Sequence, residues 1–161
     1  MSDFDYINVW GSELLASLKE EIVSFWIDNN AMSEGDARQR ISQVGFVAKH
    51  RETDKVAAVL SVFETLSPRI KKNFYAYRIF VGEQFRKQHL AGRVLNLANA
   101  FFEQQFLLGK TENVGLLIVS ENKQFNAYRN EAVWPATGFT FIGYTPDGSQ
   151  IRLKYFREAR I

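Results

Sequence analysis

The chain has 161 residues, of which 46% are hydrophobic and 24% are charged, a composition typical of a folded globular protein. This length corresponds to one domain, so we expect a single domain over residues 1–161. Twenty lysines and arginines against 18 aspartates and glutamates leave a net charge of +2, which is too small to indicate a nucleic-acid-binding protein. The lack of cysteine excludes disulfides and a cysteine nucleophile, and with two histidines we expect no metal site.

The N-terminal residues and the hydropathy bear on location. The first ten residues include Asp3 and Asp5 and lack the basic-then-apolar order of a secretion signal. No apolar run approaches the roughly 20 residues that a membrane helix needs. We therefore expect a cytoplasmic protein without a membrane partner, and a homodimer is compatible with the sequence.

The first part of the chain predicts one strand and two helices. An aromatic run predicts a short strand at Phe4–Trp10. An apolar stripe at helical spacing follows, and we expect Ser12 to cap this helix and Asn29 to end it. Ser33 lies three residues before an acidic residue, a typical helix start, and the second helix is expected to reach Gln43.

The middle of the chain predicts three antiparallel strands. Runs of β-branched and aromatic residues place them at Val44–Lys49, Val56–Glu64 and Asn73–Val81. A polar turn joins the first two strands into a hairpin. The segment Thr65–Lys72 contains a proline and three basic residues, and we expect an exposed loop there.

The rest of the chain predicts alternating helices and strands. They are a long helix at Leu90–Leu108, an apolar strand at Val114–Val119, a helix at Asn122–Glu131, and a hairpin of Phe139–Tyr144 with Gln150–Phe156. The stretch 73–119 therefore forms a strand–helix–strand unit with parallel strands. The fold class is α/β with a mixed sheet.

A basic loop connects the third of the antiparallel strands to the long helix. Arg86 and Lys87 lie just before the helix, and Arg93 lies in its first turn. The first N–H groups of a helix have no partner within it and carry partial positive charge, so a pyrophosphate suits this position. The small residues Ala91 and Gly92 leave room for such a group. A solvated basic loop that only caps the helix is an equal alternative.

This segment resembles the acyl-CoA-binding signature of the Gcn5-related N-acetyltransferases (GNAT). The matching residues are Val81, Phe85, Arg86, Leu90, Ala91, Val94 and Leu95. The resemblance implies a mixed, mostly antiparallel sheet of six to seven strands with helices on both faces and one parallel βαβ unit. It also implies acetyl-CoA as cosubstrate, held by Phe80, Val81, Arg86, Lys87, Gln88, His89, Leu90, Ala91, Gly92 and Asn122.

The sequence departs from the family pattern at two places. His89 stands where the family has glycine, and its side chain either crowds the turn, donates to a phosphate or points to solvent. The family tyrosine is displaced, because about five extra residues fall around Glu131–Thr137. Tyr128 is then the best candidate for that tyrosine, since the position counted back from Gly138 is Trp134.

The resemblance implies direct attack of an amine on the thioester, without a covalent enzyme intermediate. Backbone N–H groups at Phe80–Gly82 would hold the developing oxyanion, and Tyr128 would protonate the leaving thiolate. Glu64 and Glu83 are the available carboxylates for removing the ammonium proton, although surface roles are common for glutamate. The acceptor is a primary amine of an unidentified small molecule or protein.

Two other functions stay open at this point. The leading hypothesis is an active N-acetyltransferase. The alternative is a catalytically inactive GNAT-fold module that binds CoA or regulates a partner, and it is supported by His89 and the displaced tyrosine. A nucleic-acid accessory protein is a third reading, motivated by the basic loops and opposed by the low net charge.

Overall fold

The computed structural model describes residues 2–161. The helices and strands follow one another in the predicted order. They are β1 (Phe4–Asn8), α1 (Ala16–Asp28), α2 (Glu34–Arg40), β2 (Val44–His50), β3 (Lys55–Leu66), β4 (Asn73–Val81), α3 (Leu90–Leu107), β5 (Gly115–Ser120), α4 (Lys123–Tyr128), β6 (Thr140–Tyr144) and β7 (Gln150–Tyr155), with short 3₁₀ turns at Ile41–Gln43 and Glu83–Gln88.

The strands form one mixed sheet in the order β1-β2-β3-β4-β5-β7-β6. The β1–β2, β2–β3, β5–β7 and β6–β7 pairs are antiparallel, whereas β4 and β5 run parallel, with Tyr75 opposite Leu116 and Tyr77 opposite Ile118. The predicted mixed, mostly antiparallel sheet with one parallel βαβ unit is confirmed.

Contacts divide the chain into two compact units, each made of two segments. Unit one comprises Met1–Val62 and Ile79–Leu95, and unit two comprises Phe63–Arg78 and Asn96–Ile161. In unit one, the apolar face of α1 packs against the sheet, and its core includes Ile22, Trp26, Val47 and Val59. In unit two, a small cluster joins Phe74, Val114 and Leu153, and Tyr75 contacts the ring of Phe102 at 4.3 Å. The single domain over residues 1–161 stays a prediction.

The predicted start of the first helix is wrong. Gly11 adopts a left-handed backbone with φ of +71°, and the N–H of Ser12 donates to the carbonyl of Val9 at 3.1 Å. These residues form a turn that follows β1, so α1 begins only at Ala16, after Leu15, which makes no side-chain capping bond. The apolar stripe predicted the helix, but the turn that delays its start depends on a backbone conformation that the stripe does not reveal.

The other helix ends agree better with the sequence. Ser33 caps α2, and its hydroxyl oxygen accepts from the N–H of Asp36 at 3.1 Å. Asn29 terminates α1, as expected. The helix predicted up to Glu131 ends at Tyr128, because Arg129 leaves helical geometry with φ of −105° and ψ of 68°.

Candidate functional site

The end of β4 belongs to unit one and is held tightly there. The N–H of Gly82 donates to the carbonyl of Ala57 at 2.9 Å. A Cβ at Gly82 would lie 3.1 Å from Cε2 of Phe25, so no larger residue fits without displacing that ring. Phe25 also contacts the ring of Phe80, at 5.6 Å between centroids. The strand end therefore has a fixed position from which the basic loop departs.

One buried aromatic ring anchors the basic loop. Phe85 is buried, stacks on the imidazole of His50 at 5.5 Å and meets Phe4 edge-on at 5.6 Å. Its N–H donates to the carbonyl of Gly82 at 2.9 Å and closes the 3₁₀ turn. With Phe85 turned inward, the next three side chains, Arg86, Lys87 and Gln88, are exposed.

His89 provides the junction between the loop and α3. Its backbone is left-handed, with φ of 55° and ψ of 22°, a region that glycine adopts without steric cost and other residues rarely adopt. Its carbonyl accepts the N–H of Arg93 at 3.3 Å, which begins the helix, and its side chain is exposed. A glycine at this position would adopt the same backbone without steric cost.

The N-terminus of α3 is bare and cationic. A Cβ built on Gly92 meets nothing within 4 Å, so open space lies beside the first turn. Glycine costs about 1 kcal/mol relative to alanine inside a helix, and no packing contact at Gly92 requires it. In residues 2–161 no carboxylate forms an ion pair with Arg86, Lys87 or Arg93. Unpartnered helix N–H groups and three unpaired cations together fit an anion.

Backbone and side-chain contacts also tie Arg86 to the end of β4. Its Nε donates to the carbonyl of Val81 at 3.4 Å, and its guanidinium carbon lies 5.8 Å from the centroid of the Phe80 ring. Of the predicted cofactor-binding residues, Phe80, Val81 and the seven residues from Arg86 to Gly92 therefore lie on one continuous strand–loop–helix segment of unit one.

Two further predicted site residues, Asn122 and Tyr128, lie at the two ends of α4 in unit two. The Oδ1 atom of Asn122 accepts the N–H of Phe125 at 3.0 Å and caps the helix. Tyr128 is its last residue, and 79% of Tyr128 is exposed. The guanidinium of Arg129 lies 5.4 Å from the centroid of its ring. Trp134 is instead buried, and its Nε1 donates to the carbonyl of Arg129 at 3.1 Å.

The ladder between β4 and β5 is short within unit two. It comprises the three pairs from Tyr75–Leu116 to Tyr77–Ile118, and the register does not continue to Arg78 and Val119. Both strands continue beyond this point, β4 to Val81 and β5 to Ser120.

Glu64 lies in unit two. It is exposed and lines a polar cavity of about 320 Å³ with Asn73, Tyr75 and residues 109–113, beside the beginning of β4. Glu83, by contrast, is the first residue of the 3₁₀ turn that follows β4.

Sequence reasoning missed two residues that shape these segments. The Oδ1 of Asn29, predicted only as a helix end, accepts the N–H of Glu83 at 3.3 Å and links α1 to the basic loop. Arg152, on β7, is 1% exposed and binds the backbone after α4. Both contacts join residues far apart in the chain, so local patterns carry no signal for them.

Solved structures with the same fold cover nearly the whole chain. The ribosomal-protein-S5-alanine acetyltransferase from Vibrio fischeri is 11% identical, with a TM-score of 0.64 over 100% of this chain and 97% of that chain. A GNAT-superfamily phosphinothricin acetyltransferase from Sinorhizobium meliloti, solved in complex with AcCoA, is 11% identical, with a TM-score of 0.69 over 98% of this chain and 91% of that chain. Arabidopsis thaliana NAA60, solved in complex with acetyl-CoA, is 10% identical, with a TM-score of 0.62 over 94% of this chain and 98% of that chain.

This chain has the fold of the GNAT acetyltransferases, as the basic loop and the element order predicted. The similarity lies in the fold, since the identities are near one residue in ten. No protein-family model matches the sequence, and no curated protein matches it either.

The described residues also bear on metal binding and membrane insertion. Across residues 2–161, no group of three or more histidine, aspartate or glutamate side chains is arranged to hold a metal ion. None of the helices in that range combines the length and apolar composition needed to cross a bilayer.

Proposed function

We propose that this protein is an acetyl-CoA-dependent N-acetyltransferase that acts on a primary amine of a small molecule or a protein. The observation that carries the proposal is the bare N-terminus of α3, with three unpaired cations around it, on a GNAT fold. Two of the structural neighbours were solved with acetyl-CoA, which supports the same cosubstrate here. The GNAT fold alone does not decide the acceptor.

Each part of the basic loop has a role toward acetyl-CoA. The N–H groups at the start of α3, at Leu90, Ala91 and Gly92, donate to the pyrophosphate, and Arg86, Lys87 and Arg93 supply charge. Gln88 and His89 lie at the turn, where a side chain reaches the same phosphates. Phe80 and Val81 present backbone groups to the pantetheine and thioester, and Asn122 supports the cofactor from the start of α4.

The chemistry is a direct transfer in one enzyme-bound step. The lone pair of the neutral amine attacks the thioester carbonyl, and the C–S bond breaks as the amide forms. Tyr128 donates its phenolic proton to the departing thiolate, and a carboxylate takes the proton from the amine nitrogen. Of the two proposed bases, Glu83 follows β4 directly, whereas Glu64 lies beside the beginning of that strand, so Glu83 is favoured.

An inactive CoA-binding module is the second candidate function. One observation favours it: Tyr128 is 79% exposed, and its hydroxyl makes no hydrogen bond with the described residues 2–161. Such a module would bind CoA through the same loop without transferring the acetyl group.

A thermal-shift and transfer experiment separates these candidates. Acetyl-CoA and CoA should both raise the melting temperature, since a ligand at 100 times its Kd stabilises the folded state by about 2.7 kcal/mol. Thiol release in the presence of an amine panel should then report turnover, and the chain has no cysteine to react with a thiol reagent. A shift without thiol release supports the inactive module, and the absence of any shift contradicts both candidates. A shift with duplex DNA alone would instead indicate the nucleic-acid function.

Substitutions at His89 test the turn itself. Glycine should keep the free energy of unfolding within about 1 kcal/mol of wild type and bind CoA at least as tightly, because it adopts the left-handed backbone without a Cβ. Valine should lose more than about 1 kcal/mol at the same position, since its branched side chain opposes that backbone. Chemical denaturation and calorimetric titration with CoA measure both effects. A large loss of CoA affinity in His89→Gly would show that the imidazole donates to a phosphate.

A further inference from the structure

Backbone hydrogen bonds fix the segment between α4 and β6, which contains the extra residues noted in the sequence. The N–H of Trp134 donates to the carbonyl of Phe139 at 2.9 Å, and the N–H of Phe141 donates to the carbonyl of Ala132 at 2.8 Å. Val133 forms an isolated bridge with Thr140. The insertion is therefore an ordered strap, residues 129–139, within unit two.

Arg152 holds the beginning of this strap. Its Nη1 donates to the carbonyl of Glu131 at 2.8 Å, and its Nη2 lies 3.4 Å from the carbonyl oxygen of Arg129. Nε and Nη2 also donate to Oε1 of Gln150, at 3.2 and 3.1 Å. The indole of Trp134 covers the guanidinium at 4.3 Å. Backbone carbonyls, an amide oxygen and an aromatic ring thus fix one side chain.

Burying this charge is unfavourable, and the surroundings show how it is tolerated. Arg152 is 1% exposed, and burial lowers the pKa of its guanidinium, while the charge of Glu131 opposes that change. No carboxylate of residues 2–161 forms an ion pair with it. Backbone carbonyls, an amide oxygen and an aromatic face replace the lost water. The planar guanidinium of arginine donates to several of these acceptors at the same time, whereas a lysine ammonium does not.

The contacts of Arg152 converge on the residue next to Tyr128. The carbonyl of Arg129 is bound by Arg152 and by Nε1 of Trp134, and the N–H of Arg129 donates to the carbonyl of Phe125 at 2.7 Å. The phenol itself is exposed, and within residues 2–161 its one ring contact is the neighbouring guanidinium. The location of the phenol is therefore set by its backbone, not by side-chain packing.

We propose that Arg152 is a positioning residue for Tyr128: by binding the carbonyls that follow α4, it fixes where the phenol is presented to the leaving thiolate. This role rests on the proposed acetyl transfer and on Tyr128 as its acid. A guanidinium that only stabilised the fold would affect activity regardless of what stands at position 128.

A double-mutant cycle tests this difference. Arg152→Lys should lower kcat about 10-fold with little change in the KM for acetyl-CoA, but less than twofold when introduced into Tyr128→Phe. Lys154→Met is the matched control, because Lys154 is on the same strand and its Nζ donates to the carbonyl of Thr137, later in the strap, at 3.0 Å. This control should leave kcat within twofold of wild type.

Each other result has a defined meaning. An equal loss of kcat in both backgrounds, or an equal loss in Lys154→Met, overturns the positioning role while the proposed transfer stands. If Arg152→Lys does not fold, Trp134→Phe keeps an aromatic ring while removing the Nε1 bond to Arg129, and it should show the same dependence on Tyr128. If wild type transfers no acetyl group, the proposed function fails; chymotryptic cleavage after Tyr128, followed by mass spectrometry, then shows whether Arg152→Lys loosens this backbone more than Lys154→Met does.

Discussion

Replacing Tyr128 by phenylalanine should lower turnover about 100-fold and leave the affinity for acetyl-CoA within twofold of wild type. The substitution keeps the ring at the end of α4 and removes only the hydroxyl group. Tyr128 is 79% exposed, so the free energy of unfolding should not change measurably. Steady-state thiol release with a saturating amine measures kcat, and calorimetric titration measures the affinity.

Tyr144→Phe is the control for Tyr128→Phe. Tyr144 ends β6 and is 63% exposed, so the same hydroxyl is removed from a comparable environment in the same unit. Its turnover should equal that of wild type. Trp134 is no alternative acid, because an indole N–H does not release its proton and this one is bonded to a carbonyl. Wild-type turnover in Tyr128→Phe would remove the tyrosine from the mechanism.

Replacing Ala91 by phenylalanine should weaken the binding of acetyl-CoA by more than about 100-fold, because a large ring in the first turn of α3 blocks the approach of a pyrophosphate to the helix N–H groups. Ala91 is only half-buried, so the fold should survive. Calorimetric titration with acetyl-CoA measures the loss, and circular dichroism confirms the fold.

Ala100→Phe provides the matched control, since Ala100 is exposed on the same helix, nine residues further along. It should bind acetyl-CoA like wild type. Gly92→Ala is a milder form of the test. Alanine favours a helix over glycine by up to about 1 kcal/mol and its methyl group meets open space, so the substitution should stabilise the helix. It should nevertheless reduce the affinity for acetyl-CoA. Undiminished affinity in Ala91→Phe would exclude this helix start as the phosphate site.

The sequence predicts most of the fold, because periodic patterns are local. The stripe that begins at Leu90 and the turn before Gln150 are enough to place α3 and the β6–β7 hairpin. The start of α1 escapes such patterns, since it depends on the backbone at Gly11. The end of α4 escapes them too, because the residue that binds the chain there, Arg152, follows 23 positions after Arg129.

Of the candidate site, too, local sequence patterns predict one part and not the other. The basic loop can be predicted from the sequence because its charged residues, its small residues and the helix that follows it are contiguous in the chain. The left-handed backbone of His89 is not visible in its side-chain type, and only the glycine of the family pattern hints at it. Glu64 lines a polar cavity beside the beginning of β4, and its role as the base stays a prediction.

The order of strands has a consequence for the protein as it is made. β7 lies between β5 and β6, so the apolar strand β5, with Leu116 and Ile118, gains its second neighbour only when residues 150–155 have been synthesised. Until then a nascent chain presents β5 as an unprotected edge, which is where strands of different molecules pair and aggregate. Solubility during expression should therefore depend on the last strand, and a stop codon before Gln150 is expected to yield inclusion bodies in place of a smaller folded protein.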